Sequence, residues 1–145
     1  MPNEDELADA SELCLRSKAF WGYDRDFIDA CRKELTLTAG DLRDANVRVA
    51  TDGGKMIGVV QIVASGKRCD LEKLFVDPDA IGRGVGARLF RWAQERSRAL
   101  SAEVLVVEAD PGAVPFYRRM GCHDAGRVPS GSIKGRFLPQ LVLRL

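Results

Sequence analysis

The order of predicted elements favours a mixed α/β fold, in which helices flank both faces of a central mixed sheet. Two observations support this class. Three strand patterns separated by short turns follow one another over residues 46–76, as in an antiparallel meander. A helical pattern at 85–99 then leads to an apolar run at 102–109, as in a parallel β-α-β unit. The length of 145 residues fits a single domain over 1–145.

Two amphipathic helical patterns precede the strands. Apolar side chains recur at helical spacing over 4–20, which predicts a first helix. Asp24 suits the N-cap of a second helix at about 25–35. Trp21 and Tyr23 lie at the corner between the two helices. Their rings belong either to the core or to the wall of a substrate pocket.

Turn residues divide the rest of the chain into strands and helices. Gly53 and Gly54 mark a hairpin turn, and Gly66 begins the next turn. A polar, glycine-rich loop at 129–136 separates the last two strands. The predicted elements are strands at 46–50, 56–64 and 68–76, a helix at 85–99, a strand at 102–109, a short helix that Gly121 ends, and strands at 122–128 and 137–145.

Composition and charge argue against several classes of function. The net charge is +1, whereas a nucleic-acid-binding surface needs a basic excess, so no nucleic-acid partner is expected. No apolar run reaches membrane-spanning length, and the acidic start at 1–10 does not resemble a signal peptide. We therefore expect a cytoplasmic protein with no membrane partner.

The cysteines do not form a metal-binding pattern. The chain has four widely spaced cysteines and one histidine, whereas zinc sites use closely spaced pairs. We expect no metal, and we interpret the cysteines as buried or half-buried free thiols. His123 directly follows Cys122, but adjacent residues of a strand face opposite ways. A catalytic Cys–His pair is therefore not favoured, and His123 is expected at the surface.

A glycine-rich loop between a strand and a helix carries the strongest functional signal. Gly82, Gly84 and Gly86 follow the third strand and lead into the helix at 85–99. Glycines let the backbone come close to a ligand, and the first N–H groups of a helix lack partners and attract anions. Arg83 adds a positive charge. We interpret the loop as a pyrophosphate cradle rather than as a structural turn.

This element order, together with two motifs, resembles the GNAT superfamily of acyl-CoA-dependent N-acyltransferases. Residues 81–86, Ile-Gly-Arg-Gly-Val-Gly, are similar to the family's cofactor loop Q/R-x-x-G-x-G/A. Residues 110–122 are similar to its segment N-x-x-A-x-x-F-Y-x-x-x-G-F, which packs beside the cofactor arm. Three residues depart from these patterns: Ile81 in place of Gln or Arg, Asp110 in place of Asn, and Cys122 in place of Phe.

The resemblance implies that acetyl-CoA is the cosubstrate and that a primary amine attacks its thioester directly. The amine would belong to a small molecule or a peptide. Backbone groups of the third strand would meet the pantetheine arm and the thioester, and the loop would hold the pyrophosphate. The implied cofactor-binding residues are Phe75, Val76, Gly82, Arg83, Gly84, Val85, Gly86, Ala87, Asp110, Ala113 and Phe116. A homodimer is compatible with the family, since many members pair through sheet edges or helix faces.

The resemblance also assigns two catalytic roles. Tyr117 matches the family tyrosine that protonates the departing CoA thiolate. A phenol suits that role because its pKa of about 10 is near a thiol's pKa of about 8.5. The alternative is that Phe116 and Tyr117 are only a core pair. Glu72 stands where many members carry a general base; the alternative is an exposed carboxylate paired with Lys73 or Arg68.

Recognition of the amine would fall on the first two helices and the last loop. Trp21 and Tyr23 are the candidates at the helical corner. Arg136 in the 129–136 loop either binds an anionic group of the substrate or holds its own loop in place.

Two other functions remain open. One is a non-catalytic acyl-CoA-binding sensor or interaction module on the same fold. The other is dinucleotide binding, because Gly82, Gly84 and Ala87 match a loose Rossmann fingerprint and Glu108 ends a later strand. Against it, the strand ends several residues before Gly82, and the chain is too short for two mononucleotide-binding halves.

Overall fold

The computed structural model describes residues 7–20, 46–129 and 137–145, with the side chains of the first helix described over 10–16. The predicted second helix at 25–35 lies outside these residues. The described helices are α1 (Leu7–Phe20), α2 (Val85–Ala99) and α3 (Val114–Arg119). Short 3₁₀ helices span Pro78–Ala80 and Pro111–Ala113. The strands are β1 (Val47–Asp52), β2 (Lys55–Ser65), β3 (Arg68–Val76), β4 (Val104–Glu108), β5 (His123–Pro129) and β6 (Phe137–Arg144).

The strands form one six-stranded sheet in the order β1-β2-β3-β4-β6-β5. β2 pairs antiparallel with both β1 and β3, and β3 pairs parallel with β4 across the crossover helix α2. The predicted meander and the predicted parallel β-α-β unit are therefore confirmed. β6 lies between β4 and β5 and pairs antiparallel with both, so the last strand of the chain is internal to the sheet.

Two predicted elements match the structure at both ends. They are β3 (Arg68–Val76) and α2 (Val85–Ala99). The strand predicted at 102–109 is shorter, Val104–Glu108. Its first predicted residue, Ala102, instead donates its N–H to Ser97 O at the end of α2, which places it in the turn before the strand.

Helices cover both faces of the sheet, as predicted. On one face, α2 and α3 pack over a large apolar cluster. On the other face, α1 packs over β2 and β3. The fully buried centre of the α2 face includes Val60, Phe90, Ala93, Leu105 and Leu141. The residues buried under α1 are Ala10, Leu13, Cys14, Leu15, Val47 and Val59.

Three of the four cysteines are described, and all three are buried free thiols: Cys14, Cys69 and Cys122. The interpretation of the cysteines is confirmed for these three, and Cys31 lies outside the described residues. His123 is exposed, as predicted, and Cys122, just before β5, is buried.

No cluster of His, Cys, Asp and Glu side chains in the described segments is arranged to hold a metal ion. None of their helices is long and apolar enough to cross a membrane.

A glycine lets α2 approach the sheet closely. A Cβ atom at Gly58 in β2 would lie 2.7 Å from Leu89 Cδ1 and 2.9 Å from Val85 Cγ1. Carbon atoms in contact normally lie about 3.5–4.0 Å apart. Since Val85 is the first residue of α2, this contact determines how close the start of the helix lies to β2.

We expect Gly58→Ala to lower the free energy of unfolding by about 1–3 kcal/mol, because the added methyl group must displace α2 or force its side chains off their rotamers. Urea denaturation measures the change. Gly86→Ala is the control. A Cβ there meets nothing closer than 3.5 Å, and alanine is more favourable than glycine within a helix. If Gly58→Ala is as stable as the wild type, close packing does not position α2.

Candidate active site

The glycine loop connects the end of β3 to the start of α2. A 3₁₀ helix at Pro78–Ala80 follows β3, and α2 begins at Val85. Between them φ is +87° at Gly82 and +77° at Gly84. Side chains disfavour this left-handed conformation, so glycine is needed at both positions. The two glycines direct the chain into the N-terminus of α2.

The N-terminus of α2 is suited to an anion. Its N-cap is Gly84, which has no side chain to accept a hydrogen bond from the first turn. A Cβ at Gly82 or Gly84 would meet nothing within 4 Å, so the space above the loop is open. The N–H groups of Val85, Gly86 and Ala87 begin the helix, where the dipole favours negative charge. Arg83 is exposed in the same loop and forms an ion pair with Asp52 of β1.

The two sequence motifs lie side by side. The Cβ position of Gly86 lies 3.5 Å from Phe116 Cζ and 3.7 Å from Val76 Cγ2. The start of α2, the end of β3 and α3 therefore meet at this point. The Phe116 ring also packs edge-to-face on Phe90 of α2, with ring centres 6.3 Å apart. These contacts bring the predicted cofactor-binding residues from three elements together.

Next to the loop, β3 and β4 separate. Their parallel pairing ends at Leu71 and Val107, whereas β3 continues to Val76. Glu72 has no partner in β2, because its neighbours Leu71 and Lys73 pair with consecutive residues of that strand. This β-bulge bends β3 where the two strands diverge. The end of β3 therefore borders an opening in the sheet.

The ladder between β2 and β3 decides which backbone groups face this opening. Asp77 donates its N–H to Ile57 O at 2.8 Å. In an antiparallel ladder, alternate residues bond to the same neighbour, so the backbone groups of Phe75 also face β2. Those of Leu74 and Val76 point to the opposite side, towards the opening. The structure thus favours Leu74 and Val76 over Phe75 for backbone contacts to a ligand there.

Glu72 is exposed in the bulge. Lys73 Nζ donates instead to Gln61 Oε1 at 3.0 Å, and Arg68 pairs with Asp70 at 2.6 Å. The alternative reading, in which Glu72 pairs with Lys73 or Arg68, is therefore wrong for the described residues. The carboxylate of Glu72 lies at the place where β3 turns away from β4.

Tyr117 is buried within the α2 face of the core. Its ring centre lies 5.1 Å from that of Phe116 and 5.9 Å from that of Phe90, so the ring packs in the core, and the catalytic role of Tyr117 stays a prediction. Burial raises the pKa of the Tyr117 phenol well above its usual value, and the nearby carboxylate of Asp110 raises it further. The phenol therefore keeps its proton at neutral pH.

Asp110 and Ala113 place α3 at the end of β4. Asp110 is the N-cap of the 3₁₀ helix at Pro111–Ala113 and accepts the N–H of Ala113 on its carbonyl oxygen at 2.9 Å. Both residues are half-buried. They position the short helix that carries Phe116 and Tyr117.

Two buried polar residues near the site were not singled out from the sequence. Lys73 of β3 is only 6% exposed and donates to its cross-strand partner Gln61 of β2. Both side chains lie on the face of the sheet that α1 covers. Asp77 is 4% exposed, accepts the N–H of Asp79, and forms an ion pair with Arg16 of α1 at 3.2 Å. An Asp before Pro is a known N-cap signal for a short helix, whereas nothing in the sequence indicates that Lys73 is buried.

The predicted substrate-binding residues lie outside the described residues. These are Trp21, Tyr23 and Arg136. Their roles stay predictions.

Proteins of known activity resemble this chain in sequence. Residues 21–130 match the family model described as an acetyltransferase (GNAT) domain. The peptidyl-lysine N-acetyltransferase YiaC of Escherichia coli K12 is 33% identical over 125 residues, which cover 81% of this chain and 77% of YiaC. The peptidyl-lysine N-acetyltransferase YjaB of Salmonella typhimurium LT2 is 33% identical over 105 residues, which cover 70% of this chain and 68% of YjaB.

A solved structure shares the fold. The PaiA N-acetyltransferase of Thermoplasma acidophilum, in complex with coenzyme A, superposes with a TM-score of 0.77. The match covers 97% of this chain and 94% of that protein at 13% identity. At this identity the likeness concerns the fold alone.

We expect replacement of Asp77 to loosen the end of β3. Asp77→Ala removes the N-cap and the ion pair to Arg16, and should lower the free energy of unfolding at pH 7 by about 1 kcal/mol. Asp77→Asn keeps an acceptor for the N–H of Asp79 and should lose less. Urea denaturation of both variants at several pH values tests this.

The pH dependence has a defined sign. The hydrogen bond from the N–H of Asp79, with the charges of Arg16 and Lys55, holds the pKa of Asp77 below its usual 3.8. The stabilisation is therefore complete above that pH and is lost as the pH falls through the lowered pKa. The difference in the free energy of unfolding between wild type and Asp77→Asn should disappear in acid. A difference that grows in acid would contradict this assignment.

Proposed function

The chain belongs to the acetyltransferase (GNAT) domain family, and we propose that it transfers an acetyl group from acetyl-CoA to a primary amine. The observation that carries the proposal is the glycine loop at the N-terminus of α2, beside the opening between β3 and β4. Two relatives that acetylate peptidyl-lysine favour the lysine side chain of a protein or peptide as the acceptor.

The residues of the loop fit the diphosphate of the cosubstrate. The N–H groups at the start of α2 would donate to its oxygens, and Arg83 would add a guanidinium with matching geometry. Ile81 replaces the Gln or Arg of the family pattern and is 47% exposed, so the backbone and Arg83 supply this binding. The solved structure with coenzyme A shares the fold and supports the assignment.

The arm of the cosubstrate would follow the edge of β3. Backbone groups of Leu74 face the opening, and the side chain of Val76 borders it near Gly86. The Phe116 ring would line this path, since it lies 3.5 Å from the Cβ position of Gly86. Strand edges bind extended ligands through backbone hydrogen bonds, and the separation of β3 from β4 exposes such an edge.

Acetyl-CoA supplies an activated acyl group in the form of a thioester. The amine nitrogen forms a bond to the acyl carbon, and the bond between that carbon and sulfur breaks. The amine loses one proton, and the sulfur gains one. The protein must therefore provide a base on the side of the amine and an acid on the side of the sulfur.

Glu72 is the proposed base, acting directly or through water. Its carboxylate is exposed at the bulge and carries no ion pair among the described residues. Tyr117 is the proposed acid. Because burial keeps its phenol protonated, it enters the reaction with a proton to give. Both groups return to their starting states by exchange with solvent.

A non-catalytic acyl-CoA-binding module is the second candidate function. Its supporting observation is that Tyr117 is 7% exposed and packs against two phenylalanine rings, as a purely structural residue does. Such a protein would bind CoA without releasing the thiol.

The proposal predicts that purified protein releases CoA thiol when acetyl-CoA is supplied with lysine-containing peptides. Thiol release and the peptide mass gain of one acetyl group measure the reaction, and a mixture without peptide gives the background. Binding of CoA with no thiol release over a broad panel of amines would favour the non-catalytic module. Absence of CoA binding would reject both functions.

Two substitutions test the catalytic pair. Tyr117→Phe and Glu72→Gln should each lower kcat by about a hundredfold, the usual contribution of an acid or base. Tyr117→Phe preserves the ring contacts, so its CoA affinity should not change. Glu103→Gln is the control, since Glu103 is 69% exposed and lies at the opposite end of β4. Unchanged turnover in either variant would reject the catalytic role of that residue and would not affect the assignment of the other residue.

A further inference from the structure

An ion pair joins the tip of the β1–β2 hairpin to the glycine loop. Arg83 Nη2 lies 2.6 Å from Asp52 Oδ2, and the two side chains are 54% and 55% exposed. The residues are 31 positions apart in the chain. The guanidinium in the loop is therefore already bound to an anionic group of the protein.

The same hairpin also carries a positive charge, Lys55, which pairs with two carboxylates on the segment before the loop glycines. Lys55 Nζ lies 4.0 Å from Asp77 Oδ2 and 3.9 Å from Asp79 Oδ2, both before the first loop glycine. Asp52 and Lys55 are paired in register across the turn. The hairpin tip thus presents one acid and one base, each facing a complementary charge on the segment that leads from β3 to α2.

We propose that Asp52 is a positioning residue that holds Arg83 in the loop and yields it to the diphosphate of the cosubstrate. This inference rests on the proposed function. Binding then exchanges one anionic partner of Arg83 for another, while the pairs of Lys55 keep the hairpin beside the loop. Asp52 sets the affinity for the cosubstrate through Arg83 without contacting the reacting atoms.

The exchange is favourable because the two partners differ in charge and in geometry. A diphosphate carries more negative charge than one carboxylate, and a guanidinium can bind its oxygens in pairs. Exposed ion pairs contribute little stability, so breaking the pair between Asp52 and Arg83 costs little. The hydrogen bond from Arg83 also lowers the pKa of Asp52, so Asp52 competes as a carboxylate at neutral pH.

Removal of the competing carboxylate tests the inference. Asp52→Asn should lower the Kd for CoA by about threefold, the change expected when one exposed ion pair is exchanged. Isothermal titration calorimetry at fixed salt measures it. The gain should persist with dephospho-CoA, which keeps the diphosphate, and vanish with pantetheine, which lacks it. In steady-state kinetics, Asp52→Asn should lower the KM for acetyl-CoA and leave kcat unchanged.

The same substitution in a variant that lacks Arg83 tests whether Asp52 acts through Arg83 or only through its negative charge. With Arg83→Gln already present, Asp52→Asn should no longer change the Kd for CoA. Glu103→Gln removes the same charge from a pair with Lys67 at the far end of the sheet and should change nothing. An equal gain in both Arg83 backgrounds, a gain in Glu103→Gln, or weaker binding in Asp52→Asn would overturn the inference.

Its failure is distinguishable from failure of the proposed function. If wild-type protein does not bind CoA, the proposed function fails. If it binds CoA and acetylates a peptide while Asp52→Asn leaves the Kd unchanged, the inference alone is rejected. Matched thermal unfolding midpoints for the variants would show that the exposed substitutions leave the fold intact.

Discussion

The short parallel pairing of β3 and β4 is the constraint on which the site depends. It ends at Leu71 and Val107, yet the sheet stays intact because each strand has another neighbour. β2 pairs with β3 as far as Val76, and β6 pairs with β4 as far as Glu108. The bulge at Glu72 turns β3 away from β4 at the point where their pairing stops. A gap in the centre of the sheet is thus held open by the strands on both sides.

The packing of α2 places its N-terminus at this gap. Close contact with Gly58 fixes its distance from β2, and Phe116 and Phe90 join it to α3. The left-handed glycines at 82 and 84 then lead the chain into the first turn and leave the space above them open. Close packing fixes the position of the first N–H groups before any anion arrives, so little conformational entropy is lost when they bind one. The features that stabilise the fold here also position the proposed binding site.

Local signals predicted most of the fold, and contacts between distant residues account for what was missed. Periodicity and turn glycines are properties of neighbouring residues, so β3, α2 and the loop could be read from the sequence. The bulge at Glu72 depends on register with β2. The pairs Arg83–Asp52 and Arg16–Asp77 join residues 31 and 61 positions apart. Such pairings follow from the three-dimensional fold, and no local sequence pattern predicts them.

The burial of Tyr117 is compatible with its proposed role as an acid. Burial raises the pKa of the phenol because a phenolate would lose its hydration. A thiolate formed beside it would suffer the same loss. Transfer of the proton from phenol to thiolate moves one negative charge within one environment, so the two penalties largely cancel. Transfer to water gains no such compensation. The buried tyrosine therefore resists ionisation by solvent and keeps the proton that the proposed acid role requires.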